Sequence, residues 1–414
     1  MAEYTLKVRR FQPEAEDEDK RGAYWDTFDV ELDPTLSVLD GLLQARDGQD
    51  GSLSVRCSCR AAICGSCGVK INGQSTLACK TQIGEAFEEA ERISNVTSSG
   101  DIGREGDAAQ GAPASSNGTG RTEIVVEPMG NMPVIKDLVV DMESTHWEKY
   151  RRVTPWLLPS GPPPEREYIV PAEAMVDVTQ SVACIQCGSC VSACLSMEAD
   201  PDFIGPAALA KAYRFVGDPR DGQTSERLYD LANDPHGIYD CTHCFSCIDA
   251  CPKGVAPMNQ IMRLRRLAGH DHDIQDVNNG RNHELAFVKN IEKKGTLDES
   301  LLLQESFAPG IKGKLMPTIR AMKGLIQSLP TAVRGIKTGK MRSVPKLIPG
   351  VHHKLPGDAQ DHVKRIYETT EESRIELNLY IIGEGGEEEG APGAEGVPAG
   401  DITAPAQAEE VAGA

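Results

Sequence analysis

Two stretches, "CIQCGSCVSACL" (184–195) and "CTHCFSCIDACP" (241–252), each place four cysteines at the spacing C-x2-C-x2-C-x3-C. Three thiolates a turn apart can cap three corners of an iron–sulfur cubane. The displaced fourth then reaches a second cluster, so that paired cassettes exchange their last ligands. On that rule Cys184, Cys187, Cys190 and Cys251 hold one cluster, and Cys194, Cys241, Cys244 and Cys247 hold another. Pro252 completes the signature after Cys251, whereas Leu195 stands where a proline would follow Cys194. A third group, "CRAAICGSCGVKINGQSTLAC", spaces Cys59, Cys64, Cys67 and Cys79 as C-x4-C-x2-C-x11-C, the pattern of a [2Fe–2S] cluster wrapped by one loop. Small residues such as Gly65, Ser66 and Gly68 would let backbone amides approach the sulfurs. Zinc would more commonly take two well-separated C-x2-C knuckles, which this loop lacks. Cys57 lies outside the pattern and reads as a spare, partly buried thiol. Three such clusters carry single electrons and perform no two-electron organic chemistry by themselves. The sequence adds no G-x-G-x-x-G after a strand and no convincing Ser–His or paired-carboxylate arrangement.

The elements that must position these thiols follow from periodicity. Residues 3–11, "EYTLKVRRF", and 27–32, "TFDVEL", alternate as half-buried strands do. "TLSVLDGLLQAR" (35–46) changes to helical spacing, with Leu36, Leu39, Leu42 and Leu43 on one face. "GVKINGQSTLAC" (68–79) predicts strand, Asn-Gly turn and strand. Residues 94–120 are rich in Gly, Ser and Ala and read as a flexible surface insertion. The Pro-punctuated "PWLLPSGPPPEREYIVP" (155–171) reads as a connection between two domains, and "HWEKY" (146–150) as packing between them. From 172 to about 269 the pattern is helical, clearest in "GPAALAKAYRFV" (205–216).

The chain of 414 residues is long enough for two or three cores, with 40% hydrophobic and 25% charged residues. No apolar run suggests a membrane span or a secretory leader, which favours a reducing compartment. There 13 cysteines, an odd number, suit metal ligation better than disulfides. A net charge of -19 opposes general nucleic-acid binding. Part of that charge is a low-complexity acidic tail after residue 382. Residues 310–354 instead hold ten Lys or Arg and no acid, broken by prolines 317, 330 and 345. That stretch reads as a partner-docking surface in preference to a lipid-contacting one. His352 and His353 lack further ligand candidates nearby.

The stretches "CRAAICGSC", "EPMGNMPVIKDLVVDM", "FIGPAALAKAYRFVGDPRD" and "CPKG" resemble the iron–sulfur subunit of succinate dehydrogenase and fumarate reductase, from residue 3 to about 269. The resemblance implies an α+β chain. A β-grasp plant-type ferredoxin domain would span 1–125, and an all-helical bacterial-type ferredoxin domain 126–269. A C-terminal extension (270–382) and a disordered acidic tail (383–414) would follow. It matches Cys59, Cys64, Cys67 and Cys79 to [2Fe–2S], Cys184, Cys187, Cys190 and Cys251 to [4Fe–4S], and Cys194, Cys241 and Cys247 to [3Fe–4S]. With Cys244 the third cluster would instead be [4Fe–4S]. The implied partners are a FAD-containing flavoprotein subunit, a membrane anchor or a cysteine-rich anchor-like subunit, and a quinone. The implied place is the cytoplasmic side of the cell membrane, reached through those partners. The family's quinone-site Trp is absent from "CLSMEADPD", and Thr242 follows Cys241, with His243 one place later. His243 is thus either a surface histidine or a quinone donor. "NHELAFVKNIEKKGTLDES" and the basic segment beyond it are similar to small subunits of heterodisulfide and thiol-linked fumarate reductases, which sets one alternative. A zinc-stabilised interaction module sets another.

Overall fold

A computed structural model describes residues 1–98, residues 122–272 apart from 160, 163 and 171, the segments 280–295 and 358–373, and isolated positions between them. The basic stretch at 310–354, the acidic tail and most of the expected insertion at 94–120 lie outside the described residues. β1 (Ala2–Phe11) and β2 (Ala23–Leu32) pair antiparallel along their full length, joined through the short α1 (Glu18–Arg21). α2 (Val38–Gly48) begins at a capping box in which Ser37 and Asp40 satisfy each other's backbone amides. Its buried face carries Leu39, Leu42 and Leu43 as expected. Leu36 does not belong to it: it precedes the cap and is 41% exposed. β3 (Gly68–Ile71) and β4 (Gln74–Leu77) flank a turn with Asn72 and Gly73 both at positive φ, the geometry an Asn-Gly hairpin favours. α3 (Ile83–Ser98) continues past residue 94, where the insertion was expected to begin.

β5 (Glu123–Glu127) lies parallel to β1 and antiparallel to β3, completing a five-stranded sheet in the order β2-β1-β5-β3-β4. Leu6, Val8, Val30, Leu39, Leu42, Ile71, Leu77 and Ile124 meet in its core. Each such side chain removed from water contributes roughly 1.5–3 kcal/mol before entropy is counted. β6 (Val134–Lys136) and β7 (Val139–Val140) form a small hairpin. Its turn residue Asp137 accepts from Arg10 Nε at 2.9 Å. Arg10, fully buried, also donates to Asp26 (3.1 Å), Asp50 (3.0 Å) and Ser52 (3.0 Å). Asp137 further accepts the amides of Phe11 and Ser54. One cation therefore fixes the segment that enters the first cysteine loop.

A π-helical turn (Glu143–Trp147) leads into α4 (Glu148–Arg152), and the next elements are helices: α5 (Ala172–Val182), α6 (Ser189–Ser192), α7 (Leu195–Ala199), α8 (Pro206–Val216), α9 (Thr224–Asn233), α10 (Ser246–Asp249) and α11 (Pro257–Arg266). α8 opens on Pro206 at the first helical position, where a missing N–H costs nothing, and packs against α5 and α11. The Pro-rich connection is anchored at its start. Buried Arg227, paired with Asp221 at 2.9 Å, donates to the carbonyls of Val153, Thr154 and Trp156.

Residues 1–231 with 236–267 form one unit, which contains all of the cysteines, and residues 232–235 with 268–414 form a second. In the second unit α12 (Gly280–Lys294) packs with the helix Ala359–Ser373. No helix among the described residues is long and apolar enough to cross a membrane.

Candidate metal centres

The loop between α2 and β3 wraps the first group of thiols. The amides of Ala61, Ile63 and Cys64 point at Cys59 Sγ at 3.3–3.4 Å, and that of Ala62 at Cys79 Sγ at 3.3 Å. The Ser66 hydroxyl donates to Cys64 Sγ at 3.2 Å and, with backbone N–H groups, lowers that thiol to about 6. Burial pushes Cys67 up to about 12, beside Cys79 and Cys64. Ser66 thus contributes its hydroxyl, and Gly65 and Gly68 make room for neighbouring side chains. A Cβ on Gly65, at φ 74°, would lie 2.7 Å from the Cys187 Cβ, and one on Gly68 would lie 2.7 Å from Met129 Sδ. The glycines allow the loop to seat against the first cassette. Lys80, next to Cys79, reaches the Pro252 carbonyl at 3.3 Å.

The cassettes exchange their last cysteines. Cys184, Cys187, Cys190 and Cys251 line one small cavity together with apolar residues including Ala207, Ala210 and Val255. Cys194 instead neighbours Cys241 and Cys244, and Cys247 neighbours Cys241, Cys194 and Cys244. Burial pushes Cys184, Cys194 and Cys241 up, Cys190 well up, and Cys247 to about 12. At Cys244 burial also acts upward, but hydrogen bonds from Ser246, from the Leu195 amide and from Thr242 outweigh it and lower the thiol. Cys57 is half-buried and packs against the core of the sheet. Every cysteine lies among the described residues, and no three of their sulfurs fall within 4.8 Å of one another. A single tetrahedral zinc with bonds of about 2.3 Å would bring four sulfurs to about 3.8 Å. The thiol sets are more open than one tetrahedral ion requires.

The two cassettes repeat in conformation as well as in spacing. Gln186 and His243, each just before the second cysteine, are left-handed at φ 57°. Gly188 and Phe245, each just after it, are left-handed at φ 80° and 64° and open the matching helices α6 and α10. Cys244 thereby occupies the conformational position of Cys187. His243 is partly buried, with Nε2 2.5 Å from Arg265 Nη1, and burial followed by the guanidinium lowers it. Arg265 also donates to the carbonyls of Ile238 and Cys241. Gln186 donates from Nε2 to Cys184 Sγ at 3.2 Å. Sequence reasoning passed over Gln186 and Arg265, although aligning the two cassettes places Gln186 opposite His243.

Residues 5–147 match a 2Fe-2S iron-sulfur cluster binding domain, and residues 180–255 match a 4Fe-4S dicluster domain. A fumarate reductase iron-sulfur subunit of Mycobacterium tuberculosis is 36% identical over 65% of this chain and 94% of its own length. A succinate dehydrogenase iron-sulfur subunit of Coxiella burnetii is 31% identical over 63% and 95%. One of Paracoccus denitrificans is 32% identical over 64% and 90%. With two cluster-binding domains in this order and relatives matched over nearly their whole length, the chain belongs to the family of iron–sulfur subunits of succinate dehydrogenase and fumarate reductase.

Proposed function

We propose that the chain is the electron-transfer subunit of a succinate:quinone oxidoreductase or fumarate reductase. Cys59, Cys64, Cys67 and Cys79 would hold a [2Fe–2S] cluster, Cys184, Cys187, Cys190 and Cys251 a [4Fe–4S] cluster, and Cys194, Cys241 and Cys247 a third, completed to [4Fe–4S] by Cys244. When bound, these groups supply one-electron carriers that link flavin chemistry in a partner subunit to a quinone. The observation that carries the reading is the exchange of Cys194 and Cys251 between cassettes, which gives each group its fourth thiol. The chain's own residues do the rest. Amides of Ala61 to Cys64 and the Ser66 hydroxyl stabilise thiolate charge, as donors around metal sulfur do. The Gly65–Cys187 contact and the Lys80–Pro252 bond keep the first two groups adjacent.

Cys59, Cys64 and Ile63 are exposed in the first group, as are Cys244, Leu195 and Phe245 in the third. These surfaces suit a FAD-containing flavoprotein at one end and a membrane-anchor or cysteine-rich subunit at the other. The chain would then reach the cytoplasmic face of the membrane only through its partners. Boundaries at 125 and 269 divide it into two ferredoxin domains and a partner-docking extension. The four-cysteine second cassette also suits a thiol-dependent or heterodisulfide-type reductase, distinguished by whether the flavoprotein partner turns over succinate or thiols.

The test is EPR of the anaerobically purified complex, as isolated and then reduced, beside a Cys244→Ser variant. The expected outcome is no oxidised-state [3Fe–4S] signal in the native protein and one appearing in the serine variant. A [3Fe–4S] signal in the native protein makes Cys244 a bystander. Colourless, zinc-containing protein overturns the electron-transfer reading itself.

A further inference from the structure

His146 is 2% exposed, and among the described residues neither its ring nitrogens nor the buried Oε1 of Gln186 has a partner at hydrogen-bond distance and angle. A buried polar atom left without a partner costs about 1–3 kcal/mol. Such atoms are rare enough in folded proteins to require a reason. Here they are neighbours: the Gln186 side chain lies close enough to act on the His146 imidazole and favour its protonated form, though not at hydrogen-bond geometry. The other amide atom of Gln186, Nε2, already donates to Cys184 Sγ at 3.2 Å. Gln186 is also held left-handed at φ 57°, where a glycine would be unstrained. A side chain there costs about 1–2 kcal/mol.

The imidazole is fixed from the other side. The π-helical turn brings both the His146 and Trp147 amides onto the Met142 carbonyl, at 3.0 and 2.9 Å. This local widening points His146 inward. Trp147 packs edge-on against its ring at 4.9 Å, and Tyr150 lies 6.2 Å away. Burial holds the imidazole down to about 4, so at neutral pH it carries one N–H and one bare nitrogen. An N–H donated from His146 to Gln186 Oε1 would keep the glutamine from turning its own donor away from the sulfur.

We infer that His146 is a positioning residue that holds the Gln186 amide as a donor to Cys184, and that this relay raises the reduction potential of the cluster on Cys184, Cys187, Cys190 and Cys251. The inference rests on the cluster assignment proposed above. A donor to a cluster sulfur stabilises the negative charge that reduction adds, so its loss favours the oxidised state. The equivalent place in the second cassette holds His243 against Arg265, and the donors to sulfur there are instead Ser246, Thr242 and the Leu195 amide at Cys244.

The test is an EPR-monitored redox titration of the purified complex carrying Gln186→Leu, His146→Phe, His146→Asn and the double variant Gln186→Leu with His146→Phe. Iron content and the reduced [4Fe–4S] signal of the native protein establish the cluster assignment independently of its potential. Gln186→Leu is expected to lower the reduced-to-oxidised ratio about tenfold at fixed poise, a shift of about 59 mV for one electron. His146→Phe is expected to shift in the same direction and His146→Asn, which restores an N–H, to recover most of the loss. The double variant should shift no further than Gln186→Leu alone, because both act through one bond. An unmoved potential in Gln186→Leu overturns the inference. So do additive shifts, or cluster loss in both His146 variants, which would make His146 a packing residue only.

Discussion

At the scale of single residues, the thiols divide by what surrounds them. Cys67, Cys184, Cys190, Cys194, Cys241 and Cys247 are all pushed up by burial, whereas Cys64 and Cys244 are held down by hydroxyl and amide donors. At pH 7 the first set is protonated without iron, yet iron binds thiolates, so loading must expel those protons. Reconstituting the reduced, iron-free chain with iron and sulfide in weak buffer at pH 7 should therefore acidify the medium. An indicator dye reads this directly, against a control without protein. No excess acidification would mean that these thiols ionise before metal arrives. Cys57→Ser should change neither the proton release nor the iron content, since Cys57 lies outside the C-x4-C-x2-C-x11-C spacing.

Among the elements, the loop that follows α2 depends most on a missing side chain. Gly65→Ala meets both a positive φ and the Cys187 Cβ, whereas Gly73→Ala meets a positive φ with nothing within 4 Å. The left-handed strain alone costs about 1–2 kcal/mol. Thermal unfolding should show Gly73→Ala losing about that much and Gly65→Ala clearly more. Only Gly65→Ala should weaken the magnetic coupling between the first two centres in the reduced state; equal behaviour of the two variants would remove the contact's role. Where burial is one-sided, the sequence already shows the elements: β2 alternates, and α2 buries Leu39, Leu42 and Leu43 on one face. β5 escaped notice because it is buried along its whole length, so "EIVVE" carries no alternation, and its end residues Glu123 and Glu127 face Lys7 and Arg9 instead of water. Leu36 was misplaced because the Ser37 cap interrupts the helical period just after it. The cysteine groups were legible because iron–sulfur ligation itself dictates the spacing. The His146–Gln186 neighbourhood was not, since it depends on a π-helical turn that no periodicity announces.

For the whole molecule, acid is the revealing perturbation. Burial acts to raise Asp218, but hydrogen bonds from Arg220 and Arg214 bring it to about 2. The Ser52 hydroxyl and amide, with Arg10, bring Asp50 to about 2. Both lie below the unfolded value near 3.9. Their contribution to stability is therefore complete above about pH 4 and is lost as pH falls toward about 2. Urea unfolding at pH 6 and pH 3 should show it, with a smaller pH difference in Asp218→Asn; an unchanged difference would place the acid sensitivity elsewhere. Replacing Arg10 by Leu should cost about 3–5 kcal/mol at either pH, because Asp137 is then left buried without its cation. The traded cysteines have a further consequence, for the entropy of the chain. On the proposed ligand sets, which join Cys251 to Cys184 and Cys194 to Cys241, iron would act as two cross-links closing nested loops around α8 and α9. Each closed loop removes conformations from the unfolded ensemble, as a covalent bridge does. Oxidative loss of one cluster would open one loop and leave the other closed. Damage would then release the helical half in two steps, and a protease should cut between residues 195 and 240 only after both cross-links are gone.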